Sequence, residues 1–182
     1  MGSSGGRGVS GPPGTRLTAM GHGADSAAGQ QPHPVAFVRE GPEGPVAVVR
    51  NEVRIYDTDT SGLIFYGSTT RFFHDAQMTL FRHLGYRPAM LDGEGSSTVV
   101  RASSFELRAP LRMGDVFESE AWVAQRGRTS ISCGHRVISE GRICLFGTTS
   151  FVNVDLRTMV PAPLPPVLAE VVPQGLDAFQ EI

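Results

Sequence analysis

The apolar and polar positions of this chain change rhythm in a fixed order: strand, helix, then a run of strands. Residues 46–56 are rich in Val and Ile with mixed alternation, which predicts a strand. A turn-like stretch follows at residues 57–62. From about Tyr66 to Leu84, the residues Phe72, Phe73, Ala76, Leu80, Phe81 and Leu84 recur at helical spacing and form one wide apolar stripe. Gly85 supplies the stop signal. With aromatic weight on its inner face, this helix is the expected hub of the core. After Pro88 come four strand-like runs, residues 98–107, 116–125, 129–139 and 142–154. Met113-Gly114-Asp115 breaks the first pair, Arg126-Gly127-Arg128 closes a tight hairpin, and Glu140-Gly141 fits a two-residue hairpin turn.

These turns predict a register. A two-residue loop at Glu140-Gly141 sets Ser139 opposite Arg142. Steps of two then set Val137 opposite Cys144, His135 opposite Phe146 and Cys133 opposite Thr148. The neighbouring hairpin sets Val123 opposite Ile131 and Ala121 opposite Cys133. One face of the sheet thereby collects Phe117, Ala121, Val123, Ile131, Cys133, Val137, Cys144 and Phe146. His135 falls on that same face, where a hydrogen-bonded core histidine is expected rather than a catalyst. Cys133 and Cys144 stand several positions apart, which argues against a disulfide. The simplest packing is an α+β domain in which an antiparallel sheet of about five strands wraps around the one long helix.

Composition adds the boundaries. In a chain of 182 residues, 40% of them hydrophobic, one core domain with flanking segments is expected. Residues 1–44 are rich in Gly, Ser, Pro and Ala and cannot bury enough surface to offset their ordering entropy, so they read as a disordered leader. Residues 45–165 read as the folded domain, and residues 166–182 as a C-terminal tail. The net charge of -2 lacks the basic footprint of a nucleic-acid binder. No apolar run approaches the roughly 18 residues of a membrane span, and the N-terminus has no signal-peptide stretch. Two cysteines are too few for a disulfide framework. A reducing, cytoplasmic setting is the expectation. No ligand cluster with metal spacing is found, so no metal is expected.

Chemistry concentrates in the segment Tyr56-Asp57-Thr58-Asp59-Thr60-Ser61-Gly62-Leu63-Ile64-Phe65-Tyr66. Asp57 and Asp59 alternate along the backbone, just before the helix opens. A carboxylate beside a helix N-terminus meets the positive end of the macrodipole. That environment favours the ionised form required of a general base or nucleophile. The amides of about Tyr66 and Gly67 offer oxyanion donors. Two other readings compete: a plain capping turn, and the start of an EF-hand loop with Asp57, Asp59 and Ser61 at ligand positions. The calcium loop fails on its closing residue, which is Ser68 instead of Glu. His74 and Asp75, adjacent on the helix, point about 100° apart and form no facing dyad; they read as surface or interface residues.

The segment 57–66, followed by Arg71-Phe72-Phe73-His74-Asp75-Ala76, resembles the signature of 4-hydroxybenzoyl-CoA thioesterase-like and YbgC-like hotdog proteins. Phe105-Glu106-Leu107-Arg108-Ala109-Pro110, Val154-Asp155 and Pro163-Leu164-Pro165 match later family segments in order, so the resemblance spans roughly residues 48–165. It implies a hotdog fold and a thioesterase that hydrolyses an acyl-CoA or acyl-carrier-protein thioester. It places the catalytic carboxylate at Asp59 and the thioester-polarising N–H at Tyr66, next to Gly67. The family's CoA-phosphate contacts fall on Arg126 and Arg128, which alternatively are two solvated turn arginines. No cofactor is implied beyond the CoA or phosphopantetheine of the substrate, and a homodimer or homotetramer is. The sequence departs from the family in two places. Tyr66 stands where many YbgC-like members carry His, and Gly67-Ser68-Thr69 replaces the usual helix start. The alternatives are a hotdog dehydratase or hydratase, and a non-catalytic acyl-binding or assembly protein.

Overall fold

The structure, a computed structural model, describes residues 2, 35–42, 44–87 and 95–179, with Ala178 described by its backbone alone. The chain divides into two compact units, Met1–Gln31 and Pro32–Ile182. The second unit carries everything that follows.

Among the described residues six strands form one antiparallel sheet: β1 (Val35–Glu40), β2 (Pro45–Glu52), β3 (Ser96–Leu107), β4 (Val116–Arg126), β5 (Ser130–Ser139) and β6 (Arg142–Asp155). Their spatial order is β1-β2-β4-β5-β6-β3. A long helix, α1 (Ser68–His83), lies across one face and is the one long helix among the described residues. It ends where the stripe predicted: Tyr86 N–H bonds back to Phe81 C=O at 2.8 Å, with Gly85 at φ 79, the usual glycine-terminated helix end. Among the described residues no helix is long and apolar enough to cross a membrane.

The sixth strand corrects the expected boundary of the leader. Residues 35–40 pair in register with β2, from Val35 opposite Arg50 to Glu40 opposite Pro45. Most side chains of this edge strand are exposed. It therefore carries no buried-face pattern, and backbone pairing rather than burial defines it.

The sheet face under α1 holds two apolar clusters. Ala76, Leu80 and Phe81 of the helix pack on Ala47, Val49, Ala121, Val123, Ile131 and Cys133. Nearer the helix N-terminus, Phe72 and Phe73 pack with Val53, Ile64, Leu111, Phe117 and Val137. Phe72, Phe73 and Phe81 are each 1% exposed, and burial of such a side chain stabilises by about 1.5–3 kcal/mol.

The opposite face is also covered. Trp122, Val46, Val48, Ala124, Phe146 and Phe179 form a third cluster. The C-terminal segment supplies its cover. Trp122 Nε1–H donates to the Gly175 carbonyl at 2.7 Å, Gln174 N–H donates to Val123 C=O at 2.8 Å, and the Trp122 and Phe179 rings lie 4.1 Å apart. Residues 166–179 therefore pack onto the domain instead of trailing from it. Apolar groups on both faces explain the mixed alternation of β2, in which Ala47 and Val49 face the helix and Val46 and Val48 face the tail.

The register departs from expectation at two irregularities. Ser139 does face Arg142, but an irregularity between Val137 and Ile138 sets Val137 opposite Leu145, His135 opposite Gly147 and Cys133 opposite Thr149. The extra residue turns Phe146 to the Trp122 side, away from the helix. The other hairpin has a wider turn than expected, with Arg126 opposite Ile131 and Gly127 N–H on Ser130 C=O at 2.8 Å; an irregularity between Val123 and Gln125 takes back one residue, so Val123 faces Cys133 and Ala121 faces His135. That is a slip of two residues, so the faces are preserved.

Candidate active site

After β2 the chain leaves the sheet through a short 3-10 turn, Ile55–Asp57, and folds into a tight hairpin before α1. Phe65 N–H donates to Asp57 C=O at 2.7 Å, Asp59 N–H to Leu63 C=O at 2.8 Å and Gly62 N–H to Asp59 C=O at 3.0 Å. Gly62 adopts φ 72 at the tip, a conformation that favours glycine. A second layer anchors the hairpin, with Ile64 N–H on Leu111 C=O at 2.9 Å.

The two carboxylates of this hairpin have opposite environments. Asp57 is 1% exposed. It accepts Arg54 N–H at 2.9 Å and Nη2 of Arg71 at 2.5 Å. Asp57 is thus committed to protein partners, which removes it from the calcium-loop reading. Asp59 is exposed and its Oδ1 accepts from Ser61, through Oγ–H at 2.5 Å and N–H at 2.8 Å. Those bonds, the side-chain one first, hold the Asp59 carboxyl below the usual carboxylate range. The largest contribution is the Ser61 hydroxyl.

Beyond the hairpin, Ser68 N–H bonds to Phe65 C=O at 2.9 Å and Thr69 N–H to Tyr66 C=O at 3.3 Å. Among the described residues no backbone acceptor takes the N–H of Tyr66 or Gly67. These are unpaired donors of a helix start, directed by the first turn of a 16-residue helix. The Phe65 and Tyr66 rings meet on the outside at a 55° tilt, centroids 4.5 Å apart and both partly exposed.

A groove of about 440 Å³ opens beside this point. Thr70, Arg71, His74 and Gln77 of α1 form one wall, and Val100, Ser103 and Thr149 of β3 and β6 the other. Phe72 and Phe73 belong to the core, as their place in the apolar stripe predicts. The sequence reasoning missed Gln77, Ser103 and Thr149; only strand pairing and helix placement bring them together. His74 hydrogen-bonds Gln77 at 3.3 Å. Burial raises the Asp75 carboxyl above its ordinary range, with Arg71 opposing the shift.

Arg126 and Arg128 are not brought to Asp59 within one chain. The Asp59 hairpin contacts residues 111–113, just before β4. Arg126 ends that 11-residue strand, about 33 Å away at 3.3 Å per residue, and donates to the Ala169 carbonyl at 2.5 Å. His135 is fully buried, stacked on Phe73 at 4.4 Å. Contrary to expectation, neither of its ring nitrogens has a hydrogen-bond partner among the described residues. The Cys133 thiol, pushed up to about 12 by burial, is unfit as a nucleophile. Among the described residues no three His, Cys, Asp or Glu side chains group as metal ligands.

A six-stranded antiparallel sheet around one long helix, with a carboxylate hairpin at the helix N-terminus, defines a hotdog protein of the thioesterase class. The match to the family model described as "Thioesterase-like superfamily" covers residues 53–172, and the chain belongs to that family. It is 29% identical over 116 residues to "Acyl-CoA thioester hydrolase YbgC" of Escherichia coli O6:H1, covering 62% of this chain and 87% of that one. Its fold is similar to that of a 1,4-dihydroxy-2-naphthoyl-CoA thioesterase from Synechocystis, with TM-score 0.62 and 17% identity over 67% of this chain and 91% of the other. It also resembles a gentisyl-coenzyme A thioesterase, with TM-score 0.59 and 21% identity over 66% and 95% of the two chains.

Proposed function

We propose that this protein hydrolyses acyl-CoA thioesters, with Asp59 as the working carboxylate. One observation carries the assignment: an exposed carboxylate, hydrogen-bonded by Ser61, lies on a short hairpin that leads directly into two N–H groups without a backbone partner among the described residues, at a helix start. The thioester carbonyl oxygen lies on the Tyr66 and Gly67 amides. Asp59 then acts as general base on a water, or attacks the carbonyl carbon itself. Negative charge develops on the oxygen as the tetrahedral intermediate forms, where preorganised donors act most strongly. Collapse of the intermediate breaks the C–S bond, the CoA thiolate leaves and takes a proton, and the free acid remains. In the direct-attack route, water then opens the Asp59 anhydride.

The working unit is an assembly of two or more copies. Strand β3 pairs with β6 alone among the described strands, and leaves Val100 and Leu107 exposed on that edge, 61% and 54%. A second copy beside this edge closes the groove. Contact of the CoA phosphates with Arg126 and Arg128 requires these residues to come from that copy. A monomeric mass in solution removes this part of the proposal.

The test of the assignment is thiol release from a panel of acyl-CoA esters. Asp59→Asn is expected to lower turnover at least about 100-fold, the usual contribution of a positioned acid–base group, while the fold persists. Near-normal turnover in that variant overturns Asp59. Single turnover in ¹⁸O-water separates the routes, because only direct attack leaves label in the Asp59 carboxylate.

A further inference from the structure

Asp57 is the carboxylate of the hairpin that the chemistry leaves unused. It nevertheless holds three points of the chain. Its Oδ2 accepts Arg54 N–H at 2.9 Å, at the exit from β2. Its Oδ1 accepts Nη2 of Arg71 at 2.5 Å, from the first turn of α1. Its backbone carbonyl accepts Phe65 N–H at 2.7 Å, one residue before Tyr66. The guanidinium of Arg71 is fixed in turn. It lies 4.7 Å from the Phe72 ring centroid and 5.8 Å from that of Tyr56, and its Nη1 is 3.6 Å from Asp75.

Stability is a weak reason for such a pair. Desolvation of the buried Asp57 cancels much of the attraction, and the Arg71 side chain is 37% exposed, where solvent screens what remains. The placement is more specific than stability needs. Asp59 lies two residues beyond Asp57 on one arm of the hairpin, and Tyr66 lies one residue beyond Phe65 on the other.

We infer that the Asp57–Arg71 pair is a positioning element that locks the hairpin 57–65 onto the first turn of α1, fixing the Asp59 carboxylate relative to the Tyr66 and Gly67 amides. Neither member of the pair is a catalytic residue. The inference rests on the thioesterase assignment for its consequence and on the geometry alone for the lock. A misplacement of about 1 Å between reacting groups lowers rate about 100-fold, so a loosened hairpin is felt in turnover before binding.

The experiment uses the full chain, with Arg71→Met, Arg71→Lys and Asp57→Asn, each alone and combined with Asp59→Asn. Thiol release is measured from butyryl-CoA and benzoyl-CoA, and amide hydrogen exchange is followed by NMR. Arg71→Met and Asp57→Asn are expected to lower kcat about 10- to 100-fold with KM within about threefold of wild type. Arg71→Lys is expected to recover part of the loss. In the Asp59→Asn background, Arg71→Met is expected to change turnover less than about threefold, because a lock on an absent carboxylate has nothing left to position. The Ser61 and Phe65 amides are expected to exchange at least about tenfold faster in Arg71→Met, with Val123 and Cys133 unchanged. A rise in KM confined to the Arg71 variants overturns the inference, since it marks a direct substrate contact in the groove. Additive loss with Asp59→Asn overturns it, as does unchanged Ser61 and Phe65 exchange. If Arg71→Met does not fold, Arg71→Lys and Asp57→Asn carry the same comparisons. Absence of thiol release from wild type, with either ester, counts against the thioesterase assignment; the exchange result then decides on its own whether the pair locks the hairpin.

Discussion

The ring of Phe65 stands against the bare Cα of Gly67, in the space a Cβ at that position would occupy. Gly67 itself has φ -65, an ordinary helical value. Its lack of a side chain therefore serves the close approach of Phe65, not an unusual backbone. The Phe65 ring is 43% exposed and free to swing outward. Gly67→Ala is expected to leave stability within about 1 kcal/mol of wild type, since reduced entropy of the unfolded chain offsets part of the clash. Turnover should fall, because the displaced ring breaks its contact with Tyr66 beside the amide donors. Chemical denaturation alongside thiol-release kinetics checks both halves.

With Asp59 in its proposed role, Ser61 is expected to set the pH range over which it works. Its two bonds depress the folded-state pKa of that carboxyl, so the basic form persists above that depressed value and is lost only as pH falls through it. Ser61→Ala removes the larger contribution, the Oγ–H donor, and is expected to move the acid limb of the kcat/KM profile to higher pH. Turnover near neutral pH should stay close to wild type. An unchanged acid limb in Ser61→Ala would separate the limb from Asp59.

His135 is expected to make the fold acid-sensitive. Burial holds its imidazole down to about 3, with the backbone of Glu120 opposing only in part. An unfolded histidine titrates near about 6.5. Between these values the unfolded chain binds a proton that the folded chain does not, so stability is full above about 6.5 and declines as pH falls toward about 3. The expected loss between pH 7 and pH 5 is about 2 kcal/mol. His135→Leu should remove that share of the slope. It is also expected to change stability little at pH 7, because the contact of the ring with the Glu120 backbone falls short of a full hydrogen bond. Urea unfolding at the two pH values reads both effects.

The C-terminal segment is part of the core. Phe179, 3% exposed, stacks on Trp122. Phe179→Ala is expected to destabilise by about 3 kcal/mol, within the range for a buried Phe. The protein has one tryptophan, so its emission should shift to the red as the cover over Trp122 loosens. Unchanged emission and unchanged unfolding would show that residues 174–179 contribute nothing to that face.

Much of the fold was legible from local pattern. The stripe Phe72, Phe73, Ala76, Leu80 and Phe81 identified α1 and its buried face, because a helix repeats its environment every 3.6 residues. The four strands after it were legible because each turn carried its own residue signature. Strand β1 was not, since an exposed edge strand owes its existence to pairing with β2 and carries no periodic burial. Phe146 was assigned to the wrong face for a similar reason: one irregularity near Val137 inverts every position after it, and nothing local announces it.

The sequence by itself determined the α+β class and the long helix, and it marked the segment 57–66 as the candidate place for chemistry. These rest on short-range rules: side-chain period, turn chemistry and the order of motifs. Tertiary structure alone decided which carboxylate is committed to holding the hairpin and which is free. Asp57 and Asp59 are chemically identical and two residues apart. Only the folded chain brings Arg54 and Arg71 to the first and leaves the second to Ser61 and solvent. The groove of Gln77, Ser103 and Thr149 was likewise invisible in one dimension, because its walls come from segments that meet only when the sheet closes over the helix.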